Sequence, residues 1–202
     1  QYVFGRGRTI TEEALFRQSP ELTERRWSWR EVRNGAVIRR FQADMERGVA
    51  TAETHDDGDH LYTEKIDGGG TRVFAGFGFS LAISSLRSQL VDGGRVTLKA
   101  VGFTPKPKVV GVEITHAGVD EMKMADRTLR GDRFTIHPQI PWIARPFVNV
   151  PDTQIWLASP GPSGFVRWEG PMAEPDDQVV RVDVIPGGVS GPAHPVGTTG
   201  RR

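Results

Sequence analysis

The sequence predicts a mainly β protein: a curved antiparallel sheet, folded as a half-barrel or β-clam, with one or two short helices. Three observations carry this expectation. About ten short segments alternate apolar and polar residues at the period of a strand. Gly, Pro, Asn and Asp punctuate them at turn-length intervals. No motif recurs at a period of roughly 20–50 residues, which argues against a propeller or a solenoid.

The first 24 residues read as an N-terminal arm with a short helix. Thr9 with Glu12 three positions on has the form of a capping box, and Ala14, Leu15 and Phe16 precede the stop at Pro20. A single antiparallel domain over residues 25–185 follows. It opens with RRWSWREV, which places Trp27, Trp29 and Glu31 on one face and Arg26, Ser28, Arg30 and Val32 on the other. Asn34-Gly35 is a strong hairpin signal, and it decides residues 36–47 in favour of strand although Ile38, Phe41 and Met45 also fit a helix. Residues 49–55 and 61–66 form the next pair around Asp56-Asp57-Gly58-Asp59, and Asp67-Gly68-Gly69-Gly70 leads into residues 71–75.

The strand rhythm breaks at GFGFSLAISSLRSQLVDGG. Here Leu81, Ile83, Leu86 and Leu90 recur at helical spacing, Ser80 is placed to cap, and Asp92-Gly93-Gly94 ends the segment, so a short helix is expected at about residues 80–90. So short an amphipathic helix needs a sheet to cover. Strands resume at residues 95–103 and 108–116, with a turn expected at Ala117-Gly118, then at 121–125 and 132–137. Residues 155–157, 165–168 and 179–185 supply the last ones. Beyond residue 185 the chain is dense in Gly and Pro without apolar periodicity, and 186–202 reads as a disordered tail.

At 202 residues the chain is long enough to bury a sizeable core. Its formal charge of +1 gives no global attraction for nucleic acid or anionic lipid, and no cysteine is present for disulfides, thiolate metal sites or nucleophilic catalysis. No run is apolar enough for a transmembrane segment. A chain that begins at Gln1 reads as mature or trimmed, and a periplasmic or envelope location is favoured if a signal peptide has been removed. Oligomeric state is not readable.

Thr54-His55-Asp56-Asp57-Gly58-Asp59-His60 crowds two imidazoles and three carboxylates together, but it matches neither a calcium loop nor a zinc helix. A solvated hairpin tip is the preferred reading, and no metal or cofactor is assigned. His116 and His137, with Glu113 or Glu169, offer an acid–base pair, against which stands a histidine bonded to backbone at a strand edge. Ser163 in GPSG does not match a nucleophile elbow. Neither glycine-rich stretch has a phosphate-binding pattern. Arg25, Arg26, Trp27, Trp29 and Arg30 interleave charge with aromatics, yet a strand with cation–π contacts is preferred to a nucleic-acid platform.

The chain is organised around residues 134–171, which hold Trp142, Trp156 and Trp168. Large aromatics dominate buried area, so a core or a ligand-lined cavity is built on this stretch. The residues expected to line such a site are Phe77, Phe79, Leu86, Trp142, Phe147, Trp156, Phe165 and Trp168. Gly76 and Gly78 add weight to a cavity, because glycine in an apolar run marks a kink or a close approach.

The runs FTPKPKVVGVEITHAG, MADRTLRGDRF and IWLASPGPSGFVRWEGP resemble a pattern of uncharacterised bacterial envelope β-proteins. More loosely, residues 70–172 are similar to lipoprotein-carrier half-barrels, which hold acyl chains between a curved sheet and a helical lid. The first likeness implies no catalytic residues, and the second implies a lipid or similar hydrophobic ligand. A non-enzymatic envelope protein holding a hydrophobe between sheet and helix is therefore the leading expectation. A small β-barrel hydrolase or isomerase using a His/Glu pair is the alternative, and a structural interaction module the third.

Overall fold

A computed structural model describes residues 1–5, 7–56, 58–124, 127–140, 150–160, 164–175 and 177–184. These residues form two sheets and one helix, so the fold is mainly β, with one sheet strongly curled into a half-barrel. Sheet A is an antiparallel meander in chain order: β1 (Tyr2–Phe4), β2 (Arg8–Arg17), β3 (Thr23–Arg33), β4 (Ala36–Asp44), β5 (Val49–Thr54) and β6 (His60–Lys65). The half-barrel, sheet B, contains β7 (Val73–Phe74), β8 (Arg95–Phe103), β9 (Pro107–Met124), β10 (Arg127–Gln139), β11 (Thr153–Ala158), β12 (Phe165–Pro171) and β13 (Val179–Asp183). Its order runs β13-β12-β11-β10-β9-β8-β7. Only β7 pairs in parallel, with β8, because helix α1 (Gly78–Val91) carries the chain between them.

Turn chemistry sets the register of sheet A. Asn34 and Gly35 both adopt positive φ, as a tight hairpin between β3 and β4 requires. The alternation of β3 holds, with Trp27, Trp29 and Glu31 buried and Arg26 and Arg30 exposed. Inside, Trp29 stacks on Phe41 at 5.2 Å, and Phe103 of β8 stacks on Phe41 at 4.7 Å and on Trp27 at 5.6 Å. Each fully buried ring contributes about 2–3 kcal/mol, so this stack joins the two sheets.

The N-terminal arm with its helix is corrected. Residues 8–17 are strand, and β1 and β2 are integral members of sheet A. The Thr9/Glu12 signature loses to pairing with β3, where Ile10 and Phe16 turn inward and Glu12 reaches long-range partners. The turn expected at Ala117-Gly118 is a β-bulge inside the long strand β9: Gly118 takes φ +113 and Ala117 is left without a partner in β10.

Helix α1 lies on the concave side of sheet B. Phe79, Ala82, Ile83 and Leu90 pack there with Leu98, Ile114, Phe134, Ile155 and Leu157. The helix begins two residues before Ser80, with Phe77 at its N-cap, and Ser80 Oγ donates to the Phe77 carbonyl within the first turn. Asp92-Gly93-Gly94 ends it as expected. Gly93 at φ +88 lets its own N–H reach the Leu90 carbonyl and the Gly94 N–H reach that of Gln89. No helix among the described residues is long and apolar enough to cross a membrane.

Candidate functional site

A cavity of about 980 Å³ occupies the part of the concave side that the helix does not fill. Sheet B supplies one wall through Val110, Val112, Ile136, Thr153 and Trp168, with Val180 and Val182 at its edge. The facing wall comes from sheet A through Tyr2, Ile10, Glu12, Trp27 and Trp29. Phe77 and Phe79, at the start of the helix, divide the cavity from the packed core. Its lining is predominantly apolar and its volume falls in the range of small-molecule sites. Val3, 78% exposed, lies at the rim.

Of the expected ligand residues, Phe77, Phe79 and Trp168 line this cavity. Phe77 is the hub, with Tyr2 stacked at 6.0 Å, Phe165 edge-on at 5.5 Å and Trp168 at 5.7 Å. Phe165 of the sheet and Leu86 of the helix pack against the core between them. Trp156 is on the opposite face of sheet B, among Met122, Met124 and Val166, where its indole donates to Asp120 at 2.8 Å and Arg167 lies over the ring. Trp142 and Phe147 lie outside the described residues. The groove expected between helix and sheet is instead filled by side chains, and the open volume begins where the helix begins.

Parity explains the split between the tryptophans. Ile155 pairs with Trp168 and Leu157 with Phe165, while Val166 bulges out of register. Phe165 and Trp168, three residues apart, thus share the concave face, and Trp156 takes the other. A similar shift at Arg25 lets Glu24 and Trp27 share the inner face of sheet A.

The polar feature of the cavity wall is Glu12. Its Oε1 accepts from Trp27 Nε1 at 2.6 Å and from the Phe77 backbone N–H at 2.9 Å. Behind it, Glu24 is 3% exposed; its Oε2 accepts from the Ala75 N–H at 2.7 Å and its Oε1 has no hydrogen-bond partner among the described residues. Two carboxyl groups therefore clamp the Ala75–Gly78 turn that opens the helix. Burial raises the pKa of both, and Glu12 adds repulsion at Glu24, which is pushed up to about 8. Burial also raises the Tyr2 hydroxyl, with the charge of Glu12 acting in the same direction.

The histidines are distributed elsewhere. His116 Nε2 lies 3.2 Å from buried Asp132, whose other oxygen accepts from Arg87 of the helix. His137 pairs with Asp152 at 2.7 Å at the surface, and Glu113 accepts from Arg95. His55 bridges Asp59 and Glu53 in its hairpin, and no group of three or more His, Cys, Asp or Glu among the described residues is placed to hold a metal ion. Ser163 lies outside the described residues. In β3 the tryptophans face inward and Arg26 and Arg30 outward, while Arg25 pairs with Glu46.

Comparison with protein-family models, curated proteins and solved structures finds no match. Tyr2, Glu12, Trp27 and Trp29 are among the site residues that sequence reasoning did not place. The inward face of RRWSWREV is the one signal pointing to two of them.

Proposed function

We propose that this chain is a non-enzymatic binding protein for an elongated hydrophobic ligand, a lipid or a molecule of similar character. The observation that carries the reading is the cavity of about 980 Å³, walled by aromatic and aliphatic side chains from both sheets and open at the Val3 rim. An apolar volume of this size favours a ligand that displaces water from it. The half-barrel shape supports the same reading, and an envelope location is part of the proposal. An acid–base enzyme has less support, since His116 and His137 are each engaged by an aspartate and neither lines the cavity.

The test is to incubate the purified chain with a total lipid extract and with hexadecanol. Native mass and tryptophan fluorescence are then recorded. A bound mass with a shifted emission is expected, and the absence of both overturns the proposal.

A further inference from the structure

The cavity wall sets a carboxyl group among aromatic faces. Glu12 stands on its wall with Oε1 occupied by two N–H donors, while Oε2 has no hydrogen-bond partner among the described residues. Tyr2, Phe4, Trp27, Trp29, Phe77 and Trp168 line the same volume. Ring faces carry negative quadrupole potential, and a carboxylate beside them adds to it. Among the described residues neither Glu12 nor Glu24 forms an ion pair with Arg, Lys or His, although Glu31 and Asp132 each do.

We infer that the cavity selects hydrophobes bearing an ammonium headgroup, with the cation donating to Glu12 Oε2 inside the aromatic enclosure. This rests on the reading of the cavity as a hydrophobe site and deepens it by naming the headgroup. The other charged groups on the lining are Lys108, Arg181 and Asp183. Arg181 lies 3.4 Å from Asp183 and is largely exposed, as is Lys108, so these cations face solvent at the rim. The amino group of Gln1 also acts weakly on Glu12. An ammonium placed at Oε2 offsets the burial that raises the pKa of Glu12 and the repulsion that Glu12 adds at Glu24. A carboxylate headgroup there meets two acids and the negative faces of the rings.

The experiment compares dodecylamine, dodecanoate and dodecanol, each below its aggregation threshold, by native mass and tryptophan fluorescence at neutral pH. The full chain is used, as wild type and as Glu12→Gln. The Gln carbonyl retains the acceptor for Trp27 and Phe77 but presents an N–H donor where Oε2 stood. The amine is expected to bind wild type about tenfold more tightly than the carboxylate, as one charge-assisted hydrogen bond allows. That preference disappears in Glu12→Gln. Equal or tighter binding of dodecanoate to wild type overturns the inference, with or without a folded variant. So does a preference for amine that survives Glu12→Gln. Failure of all three probes to bind overturns the hydrophobe reading itself, whereas binding of dodecanol without headgroup preference leaves that reading standing and removes only the ammonium assignment.

Discussion

Trp27 donates its indole N–H to Glu12 Oε1 over 2.6 Å, and the same oxygen receives the Phe77 backbone N–H. One carboxyl group thereby joins the floor of sheet A to the turn that opens the helix. Gly76 fits into the angle between them at φ +47. A Cβ at this position would overlap Glu12 Oε1 and stand 2.5 Å from Trp27 Nε1.

Gly76→Ala is therefore expected to destabilise by about 3 kcal/mol, because the indole is rigid and both hydrogen bonds must yield. Gly70→Ala is the matched control. It shares a positive φ of +81 but meets nothing within 4 Å, so only backbone strain of about 1 kcal/mol applies. Urea midpoints of the two variants check the difference. Equal losses would show that the carboxyl clamp adds nothing.

Glu24 gives the fold a pH dependence opposite to that of the arginine-paired acids Glu31 and Asp132. Its folded pKa, raised to about 8 chiefly by burial, exceeds the unfolded value of 4.5. Below 4.5 both states hold the proton and the full stability is present. Above it the unfolded chain releases the proton while the folded one keeps it, so stability falls with rising pH until the folded pKa is passed. The slope from this one group is at most about 1.4 kcal/mol per pH unit. Glu24→Gln retains an acceptor for the Ala75 N–H and is expected to flatten the profile between pH 5 and pH 8.5. Denaturation of both proteins at those two values measures it, and parallel profiles would contradict the assignment.

Trp168 lines the cavity and Trp156 does not. Ligand-dependent emission should accordingly shrink in Trp168→Phe and persist in Trp156→Phe. The comparison is made by titrating hexadecanol into each variant and scaling to the wild-type amplitude. Loss of the signal in Trp156→Phe instead would move the ligand to the other face of sheet B.

The contrast between these tryptophans marks where the sequence is legible. Strand alternation in RRWSWREV, the Asn34-Gly35 hairpin and the Asp92-Gly93-Gly94 stop are local physics, and each appears in the structure where the residues place it. The face of Trp156 relative to Phe165 and Trp168 depends on a bulge at Val166, and the start of the helix depends on Glu12 and Glu24 binding a turn about fifty or more residues away. A bulge reverses parity without leaving a distinctive residue. An acid in a strand, such as Glu12, has the appearance of a solvent-facing side chain until its partners across the sheet are known. The half-barrel and its aromatic wealth were therefore readable, whereas the polar wall of the cavity was not.

Arg39 ties sheet A to the β12–β13 connection. Glu31, 0% exposed, receives Arg39 Nε at 3.0 Å and Nη2 at 2.9 Å on one oxygen, and Arg8 and Arg33 on the other. Arg39 Nη1 continues to Glu174 at 2.9 Å and Asp177 at 3.1 Å. Arg39→Met keeps most of the aliphatic stem beside Trp29 but leaves a buried Glu31 oxygen without its donors, an arrangement that costs roughly 3 kcal/mol. Burial acts to raise the Glu31 pKa, and the hydrogen bonds from Arg39 and Arg8 outweigh it, so the group sits below its ordinary value. The corresponding stability is present above the unfolded pKa and is lost as pH falls through the depressed folded one. Wild type is thus expected to lose more stability than Arg39→Met between neutral pH and pH 3, narrowing the gap between them on acidification. Adding Glu31→Gln to Arg39→Met should recover part of the loss at neutral pH, because the charge left without its main partner is removed. Urea denaturation of the four proteins of this cycle at both pH values measures the coupling. A gap that stays constant with pH would mean that Arg39 stabilises by packing alone.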